Sequence, residues 1–139
     1  MRLKNPRETG RLRTLALVSG AYDLALGIPL LVAAPAMARL MGAGEPQPVI
    51  NAQLNGLFTV TLALGYFWAA RDFSARRGYL WIAGVFAKGA GALLFVFDHF
   101  ARGSPDPFLL FAATDGTLAL VTLILLLRRA SYPATARSY

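Results

Sequence analysis

The chain has 139 residues, of which 56% are hydrophobic and 15% are charged, and its mean hydropathy is +0.50. A soluble domain of this size leaves much of its surface in water, so this composition excludes an ordinary soluble protein and indicates one covered by lipid. The absence of cysteine excludes disulfides, thiolate metal sites and cysteine nucleophiles, and the single histidine excludes a multi-histidine metal site.

Four apolar segments follow one another along the chain, each close to the ~20 residues that a helix needs to cross the hydrocarbon core. They are residues 14–34, 49–70, 79–100 and 108–127. None shows the alternation of a strand, and a helix satisfies all its backbone hydrogen bonds within lipid. The sequence therefore predicts an all-α, polytopic membrane protein, a bundle of four transmembrane helices that forms one domain over residues 1–139.

Breaker-rich segments separate the predicted helices, at residues 42–48, 71–78 and 101–107. Residues 35–42 are too few to span a membrane, and they are predicted to form either a short interfacial helix or a loop. Pro29 removes one backbone hydrogen bond within the first span, so we expect the first helix to kink there.

Basic residues are distributed unevenly between the two predicted sides of the membrane. Eleven lie before the first span, between the second and third, or after the fourth: Arg2, Lys4, Arg7, Arg11, Arg13, Arg71, Arg76, Arg77, Arg128, Arg129 and Arg137. Only Arg39 and Arg102 lie in the other two connections. The positive-inside rule thus predicts a multi-pass protein with both termini and the middle connection in the cytoplasm. The net charge of +7 is then a topology signal, and no nucleic-acid partner is expected.

Three predicted spans carry an ionisable residue near the middle, namely Asp23, Lys88 and Asp115. At 1.5 Å rise per residue, each lies about 15–19 Å from the cytoplasmic end of its helix, so the three share one level. Left unpaired they would cost about 8–10 kcal/mol to insert. Pairing of Lys88 with both carboxylates relieves much of this cost. The odd carboxyl is expected to stay protonated or to take a polar neighbour.

Polar residues extend this predicted cluster. Asn55 lies on a polar stripe of the second span and joins Asp23, Lys88 and Asp115 as a candidate cluster residue. His99 follows Lys88 by eleven residues, about three helical turns, so both point the same way. Near the external face, the candidate outer mouth of a polar route consists of Asn51, Asp98 and His99. The alternative for His99 is an interfacial residue that faces water.

Two interpretations of the cluster stay open. It either fixes the register of the helices without doing chemistry, or forms a ligand site or pathway. No catalytic template fits: the glycine-rich segments lack phosphate-loop spacing, and Ser19 lies at a different level from His99. No catalytic residue, metal site or cofactor is therefore expected, and enzyme activity ranks last among the candidate functions.

The segments "SGAYDLALGIPLLVAAP", "LNGLFTVTLALGYFWAARD", "IAGVFAKGAGALLF" and "FAATDGTLALVTLILLLRR", in this order, resemble the small four-helix bacterial inner-membrane proteins grouped as DoxX-like. The resemblance implies a four-helix bundle in the bacterial inner membrane, and some relatives are tied to quinone or thiol redox complexes. It carries no catalytic residue over to this chain, and the lack of cysteine argues against thiol chemistry.

The expected function is an accessory or assembly component of a larger membrane complex, containing a buried Asp–Lys–Asp cluster. The alternative is a carrier or binder of a small lipophilic or protonatable ligand at that cluster. The expected partners are the lipid bilayer and either a membrane protein or a lipophilic ligand. A cavity beside Lys88 would favour the second function, and tight packing there would exclude it.

Overall fold

The structure is a computed structural model and describes residues 6–73 and 75–130. Within these residues the chain forms four helices and no strand, which confirms the all-α class. The helices are α1 (Pro6–Leu40), α2 (Val49–Arg71), α3 (Arg77–Arg102) and α4 (Phe108–Ala130). Of the basic residues behind the predicted orientation, Arg2, Lys4 and Arg137 lie outside the described residues.

Three helices are long and apolar enough to cross a membrane, over Thr9–Leu40, Arg77–Arg102 and Phe108–Arg128. Most residues of these spans are not buried inside the bundle. Large apolar side chains such as Phe86 and Phe100 are exposed on their outer surface. An apolar surface of this extent is suited to contact with lipid rather than with water.

Helix α2 differs from the other three. It has 23 residues, which is long enough for a span, yet it is not among the three apolar spans. The amide and hydroxyl side chains of Asn51, Gln53, Asn55, Thr59 and Thr61 lower its hydropathy. Of the four predicted spans, three are thus helices with the length and apolar composition that crossing a membrane requires, within the described residues.

Helix α1 bends, but not where the sequence predicted. The expected kink at Pro29 lies instead at Ala33, whose backbone angles (φ −142°, ψ 40°) are not helical. Pro35 has no N–H to bond the Leu31 carbonyl, and its ring crowds that carbonyl, so the backbone turns aside just before it. Gln53 Nε2 of α2 donates a hydrogen bond to the freed Leu31 oxygen at 3.3 Å. Residues 35–40, which follow the kink, are helical. The segment predicted to be either a short helix or a loop is therefore mostly helix.

Helices α1 and α2 are antiparallel, and their backbones are in contact at two glycines, Gly27 and Gly56. A Cβ atom added at Gly56 would lie 2.4 Å from the Leu31 nitrogen and 2.8 Å from the Gly27 oxygen. One added at Gly27 would lie 2.9 Å from the Val60 nitrogen. Small residues of this kind allow membrane helices to approach closely. They make α1 and α2 one tightly joined hairpin.

All four helices meet only at one end of the bundle, next to the connection between α2 and α3. The buried core at this end consists of Leu12, Ala16, Tyr66, Ala70, Phe73, Leu80, Ala83 and Leu126. Tyr79 reinforces this end, because its hydroxyl donates to the Leu62 carbonyl at 2.6 Å and its ring packs edge-on against Tyr66. Towards the opposite end, the α1–α2 and α3–α4 hairpins separate and a cavity lies between them.

Candidate ligand-binding site

The structure brings together the three ionisable residues from three helices. Lys88 Nζ donates a hydrogen bond to Asp23 Oδ1 at 2.6 Å and another to Asp115 Oδ1 at 2.9 Å. The side chains of Lys88 and Asp23 are only 7% and 5% exposed, and that of Asp115 is 17% exposed. We call these three residues the charge cluster. Lys88 is an ammonium with three N–H donors, and the two carboxylates use two of them.

Local features of α3 and α4 position Lys88 toward the bundle interior. The π-helical segment Leu80–Ala87 ends immediately before Lys88, and such segments are frequent at functional sites. Gly84 lies on this segment, where an added Cβ atom would be 2.9 Å from Thr122 Cγ2 of α4. Close packing here fixes α3 against α4, so the lysine side chain extends toward α1 rather than toward lipid.

Tyr22 and Thr114 support the charge cluster, and the sequence analysis did not identify either. The Tyr22 ring centre lies 4.8 Å from Lys88 Nζ, which is within the range of a cation–π interaction. Tyr22 Oη and Thr114 Oγ1 are 2.6 Å apart. Because Thr114 Oγ1 already donates to the Leu110 carbonyl at 2.8 Å, the tyrosine is the donor in this pair. Each residue immediately precedes one of the aspartates, "YD" and "TD", and this signal could have identified them.

Several buried polar atoms beside the charge cluster are not satisfied within the described residues. Asp23 Oδ2, Ser19 Oγ and Tyr66 Oη are buried and have no hydrogen-bond partner there. With both carboxylates ionised, the charge cluster carries one negative charge more than Lys88 compensates. A proton would neutralise this charge, and a water molecule or a polar group of a ligand would satisfy the free Asp23 oxygen.

A cavity of about 600 Å³ has the charge cluster as its inner end. Its volume is within the roughly 300–1,000 Å³ typical of sites for small molecules. Asn55 and Thr59 line it from α2, and the other walls are mostly apolar. It extends from the middle of the helices to the connection between α1 and α2, where its lining includes Met41, Ala43, Gly44 and Pro46. The arrangement suits a molecule with an apolar body and a polar group.

The three residues predicted to form an outer mouth do not line this cavity. Asn51 is exposed on α2. Asp98 accepts a hydrogen bond from Arg102 at 3.0 Å. His99 Nδ1 lies 2.8 Å from the carbonyl oxygen of Ser104, beyond the end of α3. Counting helical turns from Lys88 could not show that the connection after α3 folds back onto the His99 ring.

Among the described residues, no three histidine, aspartate or glutamate side chains form a group that could hold a metal ion. The chain matches no protein-family model, no curated protein and no solved structure. The resemblance to DoxX-like proteins therefore stays a prediction, and a proposal for the function must rest on the geometry of the site.

Proposed function

We propose that this protein crosses the bacterial inner membrane four times and binds a small lipophilic ligand with a polar group in the cavity above the charge cluster. The observation that carries this proposal is the cavity beside Lys88, which has a buried charged floor and mostly apolar walls. A polar cluster that served only to join helices would be expected to be closely packed on all sides.

Helix α2 is proposed as the fourth span although it is less apolar than the others. Two of its polar residues, Asn55 and Thr59, line the cavity. The hydroxyl of Thr59 also donates to the Asn55 carbonyl at 2.8 Å, so its polarity is partly satisfied within the helix. Because α2 runs antiparallel to α1 along the glycine contact, it crosses the membrane wherever α1 does. The unequal distribution of basic residues then places both chain ends and the α2–α3 connection in the cytoplasm.

This topology predicts opposite labelling of two engineered cysteines, and the natural chain has none to interfere. Gly44 and Ala75 are exposed and lie in the connections at opposite ends of the bundle. A membrane-impermeant maleimide is expected to label Gly44→Cys in intact spheroplasts, and Ala75→Cys only after permeabilisation. Labelling of both positions before permeabilisation, or the reverse order, would contradict the proposed topology.

Access to the cavity is suited to a lipophilic molecule. Phe58 lines the cavity and is nevertheless 62% exposed, so the wall formed by α2 has an open side. Four residues of the α1–α2 connection, Met41, Ala43, Gly44 and Pro46, line the end of the cavity. A ligand can thus enter from the membrane through the open side, place its apolar body between the hairpins and bring its polar group to the charge cluster.

Filling the cavity is expected to remove the ligand. Thr59→Trp inserts a large side chain into the cavity, whereas Thr61→Trp places the same side chain on the exposed face of α2. The two threonines are well matched, because each hydroxyl donates a hydrogen bond to the carbonyl four residues earlier. Thr61 Oγ1 donates to Leu57 at 2.9 Å, and Thr59 Oγ1 donates to Asn55 at 2.8 Å.

Mass spectrometry of small molecules that co-purify in mild detergent measures the result. We expect Thr59→Trp to lose a molecule that the unsubstituted protein and Thr61→Trp both retain. If all three retain the same molecules in the same amounts, the cavity is not a binding site.

The accessory role expected from the sequence stays a prediction. The cavity beside Lys88 is the feature that favours the ligand-binding role over it. The outer apolar faces are equally suited to lipid and to a protein partner, so they favour neither role.

A further inference from the structure

We infer that the ligand is a lipophilic cation, and that it exchanges with a proton shared by the carboxyl pair Asp23 and Asp115. This inference rests on the proposed function, since it concerns the occupant of the same cavity. It follows from the charge balance of the charge cluster at the inner end of the cavity and from the aromatic side chains that line the cavity.

The charge balance leaves one carboxylate without an equal partner. Lys88 Nζ is closer to Asp23 than to Asp115, at 2.6 Å against 2.9 Å. Asp23 Oδ2 is buried and has no other hydrogen-bond partner among the described residues, so the ammonium must compensate this carboxylate almost alone. The two carboxyl groups together therefore hold one negative charge that Lys88 does not balance. The side chain of Asp115 is the more exposed of the two, at 17% against 5%, so it is the one that a cation in the cavity can reach.

No other cation faces this site from the described parts of the packed helices. The ionisable groups around Asp115 are Asp23 and Tyr22 on α1, Tyr66 on α2 and Lys88 on α3. Both tyrosines are neutral in their usual form, so they do not balance a carboxylate. The surplus negative charge must be balanced by a proton when the cavity is empty.

The cavity walls favour a positive charge. Four phenylalanines line it, namely Phe58, Phe95, Phe108 and Phe111. Three of these form a continuous aromatic wall, with ring centres 5.5–6.1 Å apart. The face of an aromatic ring attracts cations, and the attraction increases where water is excluded. A neutral or anionic molecule of the same shape would gain the apolar contacts but not this attraction.

The exchange conserves charge and bonds. When the cation enters, the O–H bond of the protonated carboxyl in the pair breaks and the proton passes to water. The carboxylate then pairs with the cation, so the site has the same total charge before and after. No oxidant or other reactant is involved. Cation binding therefore weakens as the pH falls, and it releases close to one proton per bound cation.

Three probes of similar shape and different charge test this inference on the purified full chain by equilibrium dialysis, with empty micelles as the blank. They are tetraphenylphosphonium, neutral triphenylphosphine oxide and anionic tetraphenylborate. Tetraphenylphosphonium is expected to bind at least about tenfold more tightly than the other two. Its affinity should fall by about tenfold per pH unit on the acid side, where the carboxyl is protonated in the empty site. A pH indicator in weak buffer should report the released proton.

Substitutions test whether the surplus charge of the carboxyl pair is the source of both effects. Asp115→Asn is expected to abolish both the preference for the cation and the dependence on pH. The control Asp106→Asn alters a loop carboxylate that is 93% exposed, and it should leave both unchanged. Should Asp115→Asn fail to fold, proton release by the unsubstituted protein still decides.

The outcomes separate the two proposals. If the neutral probe binds as well as the cation and Thr59→Trp prevents both, the cavity is a binding site and only the cation inference is wrong. Binding of the cation without proton release would also overturn the exchange. If no probe binds and Thr59→Trp loses no co-purifying molecule, both proposals are wrong.

Discussion

Lys88→Met is expected to destabilise the protein by about 3–5 kcal/mol, the cost of removing one partner from a buried ion pair. The substitution leaves Asp23 and Asp115 without the ammonium that donates to both of them. Each carboxyl must then take a proton or remain as an uncompensated charge near the middle of the bilayer, where charged groups are costly. Unfolding in mixed micelles with increasing denaturing detergent measures the loss.

The triple variant Lys88→Met, Asp23→Asn, Asp115→Asn provides the control. Because it has no charge left in the cluster, it is expected to recover much of the stability that the single substitution loses. A loss in the triple variant as large as in Lys88→Met would mean that methionine packs badly at this position. If Lys88→Met unfolds at the same detergent fraction as the unsubstituted protein, the charge cluster does not stabilise the fold.

Gly56→Ala is expected to have the second largest effect, about 3 kcal/mol, in the upper part of the range for overpacking. The added methyl group would lie 2.4 Å from the Leu31 nitrogen and 2.8 Å from the Gly27 oxygen. Both are backbone atoms of α1, and they cannot rotate away as a side chain can. Helices α1 and α2 must therefore move apart, which loosens the α1–α2 hairpin along its length.

Gly10→Ala is the matched control, because it makes the same change on helix α1 with no atom within 4 Å of the new methyl group. Alanine is favoured over glycine inside a helix by up to about 1 kcal/mol, so this variant should be as stable as the original or slightly more so. Equal effects of the two substitutions in the same unfolding assay would contradict close packing at Gly56.

The helices and the common depth of the charges could be predicted because each is a property of a single helix and does not depend on how helices pack. Apolar length gives the helices, and a fixed rise per residue gives the common depth of Asp23, Lys88 and Asp115. Because unpaired charges within a membrane are costly, these three side chains are expected to pair with one another. Small residues on the same helical faces as Asp23 and Asp115, such as Ala16 and Ala119, are buried because those faces point into the bundle.

Features that depend on two helices at once could not be predicted. The kink lies at Ala33 because Pro35 frees the Leu31 carbonyl and Gln53 of α2 satisfies it. The cavity exists because the hairpins are packed together at the Tyr66 end and separate at the other. Neither the pairing of two helices nor the distance between two hairpins is encoded in the periodicity of a single segment.

The position of the charge cluster connects stability to binding. It lies at the inner end of the cavity, where the packed half of the bundle meets the open half, and it contributes bonds to three helices. A change in its balance of charge thus acts on both the fold and the ligand. This is why the unfolding assay and the binding assay must be performed on the same variants.

The most direct measurement of the charge cluster is a solid-state NMR distance in lipid bilayers. The chain has two lysines, so Lys4→Arg leaves Lys88 as the only one and its ¹⁵Nζ can be labelled uniquely. With ¹³Cγ-labelled aspartate, we predict strong dipolar couplings from Lys88 Nζ to two carboxyl carbons, as its contacts of 2.6 and 2.9 Å to Asp23 and Asp115 require. Couplings to one carboxyl carbon or to none would contradict a lysine held between two carboxyl groups.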